Sequence, residues 1–261
     1  MPTHNEDVYT FNKAFGVFIS DTLNLDLINE DKHLANLRYS LIAEEVSELK
    51  EAIENNDFTE IIDALSDILY VAYGAGVSFG LNLDKDFTYY LNYMDIPISL
   101  ETTTFFKNCR EIYAEIITNS PEIDDFNKLF QDNITNYTEK IKRNLIDYED
   151  ITEFSSNLCQ LILNVYLLGH VYDIDLDAAF TIVHNSNMSK LCATEELAKK
   201  TVQYYIDNDP RYDSPSYRKS DLGDYYVIFN KNTGKILKSI KYNPACFTNL
   251  LCEEMVLGNK W

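Results

Sequence analysis

The chain has 261 residues, of which 46% are hydrophobic and 25% charged, the balance of an ordinary globular protein and not of a disordered one. Forty-two Asp and Glu against 22 Lys and Arg give a formal charge of −20, which sets the chain against phosphate backbones and anionic bilayers and excludes nucleic acid and membranes as expected partners. The five cysteines, Cys109, Cys159, Cys192, Cys246 and Cys252, form no CxxC pair, so a disulfide framework or structural zinc site is not expected and a reducing, cytoplasmic setting is. The opening MPTHNEDVYTF lacks a basic stretch followed by an apolar run, and the longest apolar segment, 68–79, is too short to span a bilayer.

In chain order, long segments poor in glycine and proline, with apolar residues at three and four spacing, predict helices at about 7–24, 33–55, 57–80, 103–118, 123–145 and 147–172. Asp57 is placed to cap the third of these, with Glu60 three residues on. A further helix is expected at about 194–207. After a polar loop, 224–229 and 235–240 read as a β-hairpin. Residues 190–241 carry ten Lys and Arg against seven Asp and Glu, a net of +3 in an otherwise acidic chain.

The third helix recurs. Aligning 60–88 with 153–181, an offset of 93, matches Glu60/Glu153, Leu65/Leu158, Tyr73/Tyr166, Gly76/Gly169, Leu83/Leu176, Asp84/Asp177, Phe87/Phe180 and Thr88/Thr181. Eight identities in 29 positions exceed the roughly two that average composition would give, and the shared turn Gly-x(6)-Leu-Asp-x-x-Phe-Thr lies outside the helical pattern itself. The expected organisation is an internal duplication of a three-helix unit: 1–100, 101–190, and a C-terminal extension at 191–261.

The chemistry concentrates in the first unit. Glu44, Glu45 and Glu48 fall within a sector of about 100° on the second helix, and Glu60, Asp63 and Asp67 within about 60° on the third. The first triplet alone is equally compatible with a solvated helix face. The second shares its helix with Ile61, Ile62, Ala64, Leu65, Ile68, Leu69 and Val71, a helix apolar nearly all round and therefore buried. Carboxylates on a buried stripe repel one another and lose hydration, so a cation is needed beside them. An all-oxygen set without His or Cys selects a hard ion, Mg²⁺ or else Mn²⁺. A di-iron bundle is set aside, because it needs Glu-x-x-His on two helices and, of His4, His33, His170 and His184, only His33 has a Glu (Glu30) three residues before it.

Glu45-x-x-Glu48 followed by Glu60-x-x-Asp63 on the next helix resembles the all-α nucleoside triphosphate pyrophosphohydrolases, the MazG-like superfamily that includes dimeric dUTPases and phosphoribosyl-ATP pyrophosphohydrolase. Asp63-Ala-Leu-Ser-Asp67-Ile-Leu-Tyr70-Val-Ala-Tyr73-Gly74 is similar to the third-helix pattern of its phage and viral members. So are His184-Asn-Ser-Asn187-Met188-Ser-Lys190 and Gly234-Lys-Ile-Leu-Lys238-Ser with Asn243-Pro244 behind it. The resemblance covers 33–88 and 150–190 well and 224–245 in part. It implies an all-α bundle of two tandem MazG-like units, a pseudo-dimer, with a small C-terminal α/β-hairpin extension. It implies Mg²⁺-dependent cleavage of a nucleoside triphosphate between the α and β phosphates, giving monophosphate and pyrophosphate. Glu45, Glu48, Glu60 and Asp63 are the implied metal ligands, with Glu44 a further ligand or the base, and Asn187, Lys190 and Lys238 the implied substrate contacts, with Asp67 beside them; Glu44 or Glu48 is placed to orient the attacking water.

The two units depart from the pattern in opposite ways. Asp63 and Asp67 align with Ser156 and Gln160, and 123–145 has no EExxE, whereas the first unit has no counterpart of HNSNMSK. Each half keeps what the other lacks, so one composite site per chain is expected. Base, sugar, metal count and any assembly of pseudo-dimers into larger oligomers stay open, as does the setting of host cytoplasm if the source is viral. His184 reads as a structural histidine, and Tyr70 and Tyr73 as core residues able to stack on a base. The rival readings are an inactive module of the same fold that sequesters a nucleotide, and a helical interaction protein with an acidic face.

Overall fold

The structure, a computed structural model, describes residues 3–93, 105–120, 122–123, 125–148 and 150–250. The expected boundary at 100/101 and Cys252 lie outside them. Helix α1 (His4–Phe15) opens on a reciprocal cap: Thr3 accepts the Glu6 N–H while Glu6 accepts the Thr3 N–H. It stops at Gly16, φ +60°, eight residues before the end expected from the sequence. The left-handed residue reverses the chain, and an irregular stretch with the short α2 (Leu27–Glu30) follows. Helices α3 (Lys32–Glu54) and α4 (Phe58–Ser78) start at Asp31 and Asp57. The Asp57 carboxylate accepts the N–H groups of Thr59 and Glu60, the cap the sequence predicts.

Helix α5 (Leu83–Tyr93) lies beyond the helix that the sequence predicts to end at about residue 80. It is followed by α6 (Phe105–Asn119) and α7 (Phe126–Lys142). A π turn at 143–147 and Tyr148 at φ +55° break the chain before α8 (Phe154–Val171), so the helix expected from 147 begins seven residues late. Helix α9 (Leu176–Met188) is the second unforeseen helix, and α10 (Glu195–Asn208) matches expectation closely. The extension is a three-stranded antiparallel sheet and not a lone hairpin. Strand β1 (Pro215–Lys219) comes out of the stretch read as polar loop and pairs with β2 (Tyr226–Asn230), and β3 (Ile236–Leu237) adds two residues. The fold is all-α with this small β extension at its C-terminal end.

The repeated turn explains both missed helices. Leu81 donates its N–H to the Gly76 carbonyl and Ile174 to that of Gly169, each at 2.9 Å. Gly80 and Asp173 both take left-handed φ, and Asn82 and Asp175 cap the helix that follows. Gly76 and Gly169 are glycine because a Cβ would meet Leu83 or Leu176 at 2.7 Å. Tyr73 donates to Asp84 at 2.9 Å, and Tyr166 to Asp177 at 2.7 Å. Every one of these pairs is 93 residues apart.

Helix α4 is the axis of the bundle. It packs on α3, α1, α8 and α9, and Ile62, Leu65, Ile68, Leu69 and Tyr73 are fully buried. Its length and hydropathy would suffice to cross a membrane, and here it is the core helix. One apolar cluster runs from Val8 through Leu91 to Cys109 and Val183, so both halves of the helical region share it. The extension clips onto the bundle at the C-terminus of α1, where Arg218 donates to the Phe15 carbonyl and Ser220 to that of Ala14, both at 2.6 Å. An arginine there also complements the negative end of the helix dipole.

Candidate active site

Helices α3 and α4 lie side by side after the turn at Asn55–Asp57, so the two acidic faces look at each other. Glu45, Asp63 and Asp67 are half-buried, and Glu44, Glu48 and Glu60 are exposed at the rim. The stripe expected to be buried is thus graded, wet at Glu60 and shielded toward Asp67.

Electrostatics links these groups across the two helices. Burial first, and then the charges of Asp67, Glu48, Glu44 and Asp63, push Glu45 up to about 8. Asp67 is pushed up to about 7 by burial and by Asp63, against the opposing pull of Lys190. Burial and Glu60 raise Asp63, and Lys238 counters them. Glu48 is raised by burial and by Glu44, Asp63 and Glu60. A set of carboxylates that hold their protons this tightly lacks positive charge.

The basic residues come from the far end of the chain. A pocket of about 390 Å³ is lined on one wall by Glu60, Asp63 and Asp67, and on the other by Asn187, Lys190 and Lys238. Tyr242, Pro244 and Phe247 close it. Asn187 and Lys190 project from the end of α9, where Lys190 Nζ donates to Asn187 Oδ1 at 2.6 Å. Burial lowers the Lys190 pKa while Asp67 pulls it up. Lys238 follows β3 and lies 4.3 Å from the centroid of the Tyr242 ring. The strap after it is tied to α9 by Ser186 donating to the Tyr242 hydroxyl at 3.0 Å and by the Asn243 N–H donating to Ser189 Oγ at 2.9 Å. The basic motif of the second unit, the C-terminal extension and the acids of the first unit therefore meet at one place. Glu44, Glu45 and Glu48 do not line the pocket; they border it through Asp63 and Asp67.

The donor chemistry fits a hard divalent cation, since the groups that repel one another across α3 and α4 are carboxylates and their shared deficit is of positive charge. Among the described residues no three His, Cys, Asp or Glu side chains form a ready-made clasp for an ion.

Sequence reasoning missed two neighbours. The sequence suggests core for Tyr70 and a structural role for His184, yet the Tyr70 hydroxyl joins His184 Nδ1 at 3.1 Å and its oxygen faces the Asn187 side chain. Residue spacing could have hinted at this, since Tyr70 is one turn from Asp67 and His184 one turn from Asn187. Arg38 is a buried cation that the sequence does not single out. It lies 5% exposed on α3 with Nε and Nη2 unpartnered, and burial lowers it to about 10.

Residues 18–88 match the family of phosphoribosyl-ATP pyrophosphohydrolase. The span holds α3, α4 and all six carboxylates. The chain is also 34% identical over 252 residues to "Uncharacterized protein L479" of Acanthamoeba polyphaga mimivirus, covering 95% of this chain and 96% of the viral one. No solved structure matches the chain. The likeness to the viral protein runs through the second unit and the extension as well. With the paired acidic helices, the all-α fold and these matches together, the chain belongs to the MazG-like pyrophosphohydrolase superfamily, in company with a viral relative.

Proposed function

We propose that this chain is a Mg²⁺-dependent nucleoside triphosphate pyrophosphohydrolase that cleaves between the α and β phosphates. The observation that carries the reading is the pocket in which Asp63 and Asp67 face Asn187, Lys190 and Lys238. Acids that demand a cation and bases that demand an anion share one cavity, and a metal–triphosphate complex satisfies both.

Glu45, Glu48, Glu60 and Asp63 would hold the ion. When bound, Mg²⁺ supplies neutralisation of the phosphate oxygens and of the charge that grows on the pyrophosphate leaving group. Lys190 and Lys238 offer point charges to the same phosphates from the opposite wall. Asn187 adds a neutral amide donor beside Lys190. Glu44, exposed at the rim, accepts a proton from water and orients it toward the α phosphorus, with Glu48 next to it. The apolar side of the pocket, with Val183, Pro244 and Phe247, suits the flat nucleoside end. The composite site supports reading the duplication as a pseudo-dimer, the first unit contributing acids and the second contributing phosphate donors.

The test is pyrophosphate release from a panel of canonical and modified NTPs and dNTPs with Mg²⁺. Release is expected, with loss in EDTA and a fall of at least about a hundredfold in kcat/KM for Glu48→Gln, since a metal ligand supports several kcal/mol of transition-state stabilisation. A metal-dependent thermal shift without release from any nucleotide would instead make the chain a nucleotide-sequestering module of the same fold.

A further inference from the structure

A chain of polar groups leads away from the pocket into the bundle. It starts at Lys190, whose Nζ donates to Asn187 Oδ1 at 2.6 Å. An ammonium has only donors, so this contact fixes which end of the Asn187 amide faces it. The NH₂ end is left to face the Tyr70 oxygen. Tyr70 in turn gives its O–H to the next group, His184 Nδ1, at 3.1 Å. In that direction His184 Nδ1 carries no proton, and the ring hydrogen sits on Nε2. That nitrogen lies 3.6 Å from Asp7 Oδ1 on α1, an electrostatic contact that favours this tautomer. Lys190 at one end and Asp7 at the other thus favour one direction along the line. Packing holds the line in place: Tyr70 is 7% exposed, its ring stacks toward His184 at 6.2 Å, and Phe11 of α1 meets it edge-on at 5.6 Å.

We propose that Tyr70 and His184, anchored by Asp7, are positioning residues for triphosphate recognition: they fix the orientation of the Asn187 amide and through it hold the Lys190 ammonium toward the phosphates. The inference rests on the reading of Asn187 and Lys190 as phosphate donors given above. Without Tyr70 the amide has no partner behind it and can turn, and a turned amide presents NH₂ to an ammonium. Lys190 then samples other rotamers, and the ligand must order it on binding. The N-terminal helix, which contributes no lining residue to the pocket, acquires a role in substrate affinity by this route.

The full chain is titrated with inorganic triphosphate in the presence of Mg²⁺ by calorimetry, which reads binding apart from turnover and from base specificity. Tyr70→Phe and His184→Phe, which keep the aromatic packing, are each expected to weaken binding about three- to tenfold, the worth of one hydrogen bond. In a Lys190→Ala background Tyr70→Phe is expected to add less than it costs alone, because one of the two groups it positions is gone. Nitrogen NMR of the histidine rings is expected to show His184 as the Nε2–H tautomer. If Lys190→Ala weakens binding and Tyr70→Phe does not, the positioning role is overturned and the proposed function stands. Full additivity of the two losses also overturns it, since Tyr70 would then act only through packing. If the unaltered chain fails to bind triphosphate, or Lys190→Ala binds as well as it does, the reading of the site itself fails and the positioning role with it.

Discussion

Asp67 and Glu45 carry the residue-scale argument, because their protonation reports how the site is balanced. Their ordinary values of 3.8 and 4.5 rise to about 7 and about 8 in the folded chain. Between those limits the native state binds more protons than the unfolded state, so stability is present at low pH and is lost as pH rises through the folded values. The melting temperature of the metal-free protein is therefore expected to fall from pH 5.5 to about pH 8.5. Mg²⁺ is expected to raise it more at the upper end than at the lower, since the ion competes with protons for the same oxygens. Scanning calorimetry at several pH values, with and without Mg²⁺, checks both slopes. Arg38 makes the opposite case. It is a buried cation with two unpartnered N–H groups, and a charge in that position costs more than it contributes. Arg38→Met is expected to raise stability by about 1 kcal/mol or more in chemical denaturation, and a clear loss would show that the guanidinium has an essential partner.

At the scale of elements, the joint between α4 and α5 and its counterpart between α8 and α9 decide the geometry of the bundle. Gly80 and Gly234 both have left-handed φ, +76° and +72°. A Cβ on Gly80 would stand 2.0 Å from the Thr22 carbonyl oxygen, whereas at Gly234 it would meet nothing within 4 Å. Gly234→Ala is expected to cost about 1 kcal/mol, the backbone term alone. Gly80→Ala is expected to cost several kcal/mol, because the obstacle is backbone and cannot swing aside. Urea denaturation of the two variants separates strain from collision. The sequence announced this joint as a repeated string without revealing that a helix follows it. The eleven residues of α5 and thirteen of α9 begin directly after the turn, so periodicity had little length in which to appear. The early stop of α1 was hidden likewise, since Gly16 alone among neighbouring residues signals it, and its reason is the left-handed backbone there, φ +60°.

At the scale of the molecule, the two halves are bound by a common core and a common pocket. Helix α4 packs on α8 and α9, and the apolar cluster crosses from one half to the other. A fragment of residues 1–93 is therefore expected to lack a cooperative melt, having lost the partners that cover α4. Circular dichroism of that fragment beside the full chain checks it; an independent sharp transition would mean the first half is a domain in its own right. The extension docks at two points, β1 on the end of α1 and the strap of Lys238–Phe247 on α9, and the second docking brings Lys238 to the acids.

The sequence by itself determined the all-α class, the buried axis helix, the cap at Asp57, the 93-residue repeat and the two acidic faces. Each follows from composition, from periods of three to four residues, or from side-chain chemistry local to one helix. Only the tertiary structure decided that Asn187, Lys190 and Lys238 stand across a single pocket from Asp63 and Asp67, and that Tyr70 and His184 tie that wall to α1. Those relations join residues more than a hundred positions apart, and no period or propensity encodes them. They exist because α4 must bury an almost wholly apolar surface, and the helices that cover it bring their charged ends to the one stripe of α4 that cannot be buried.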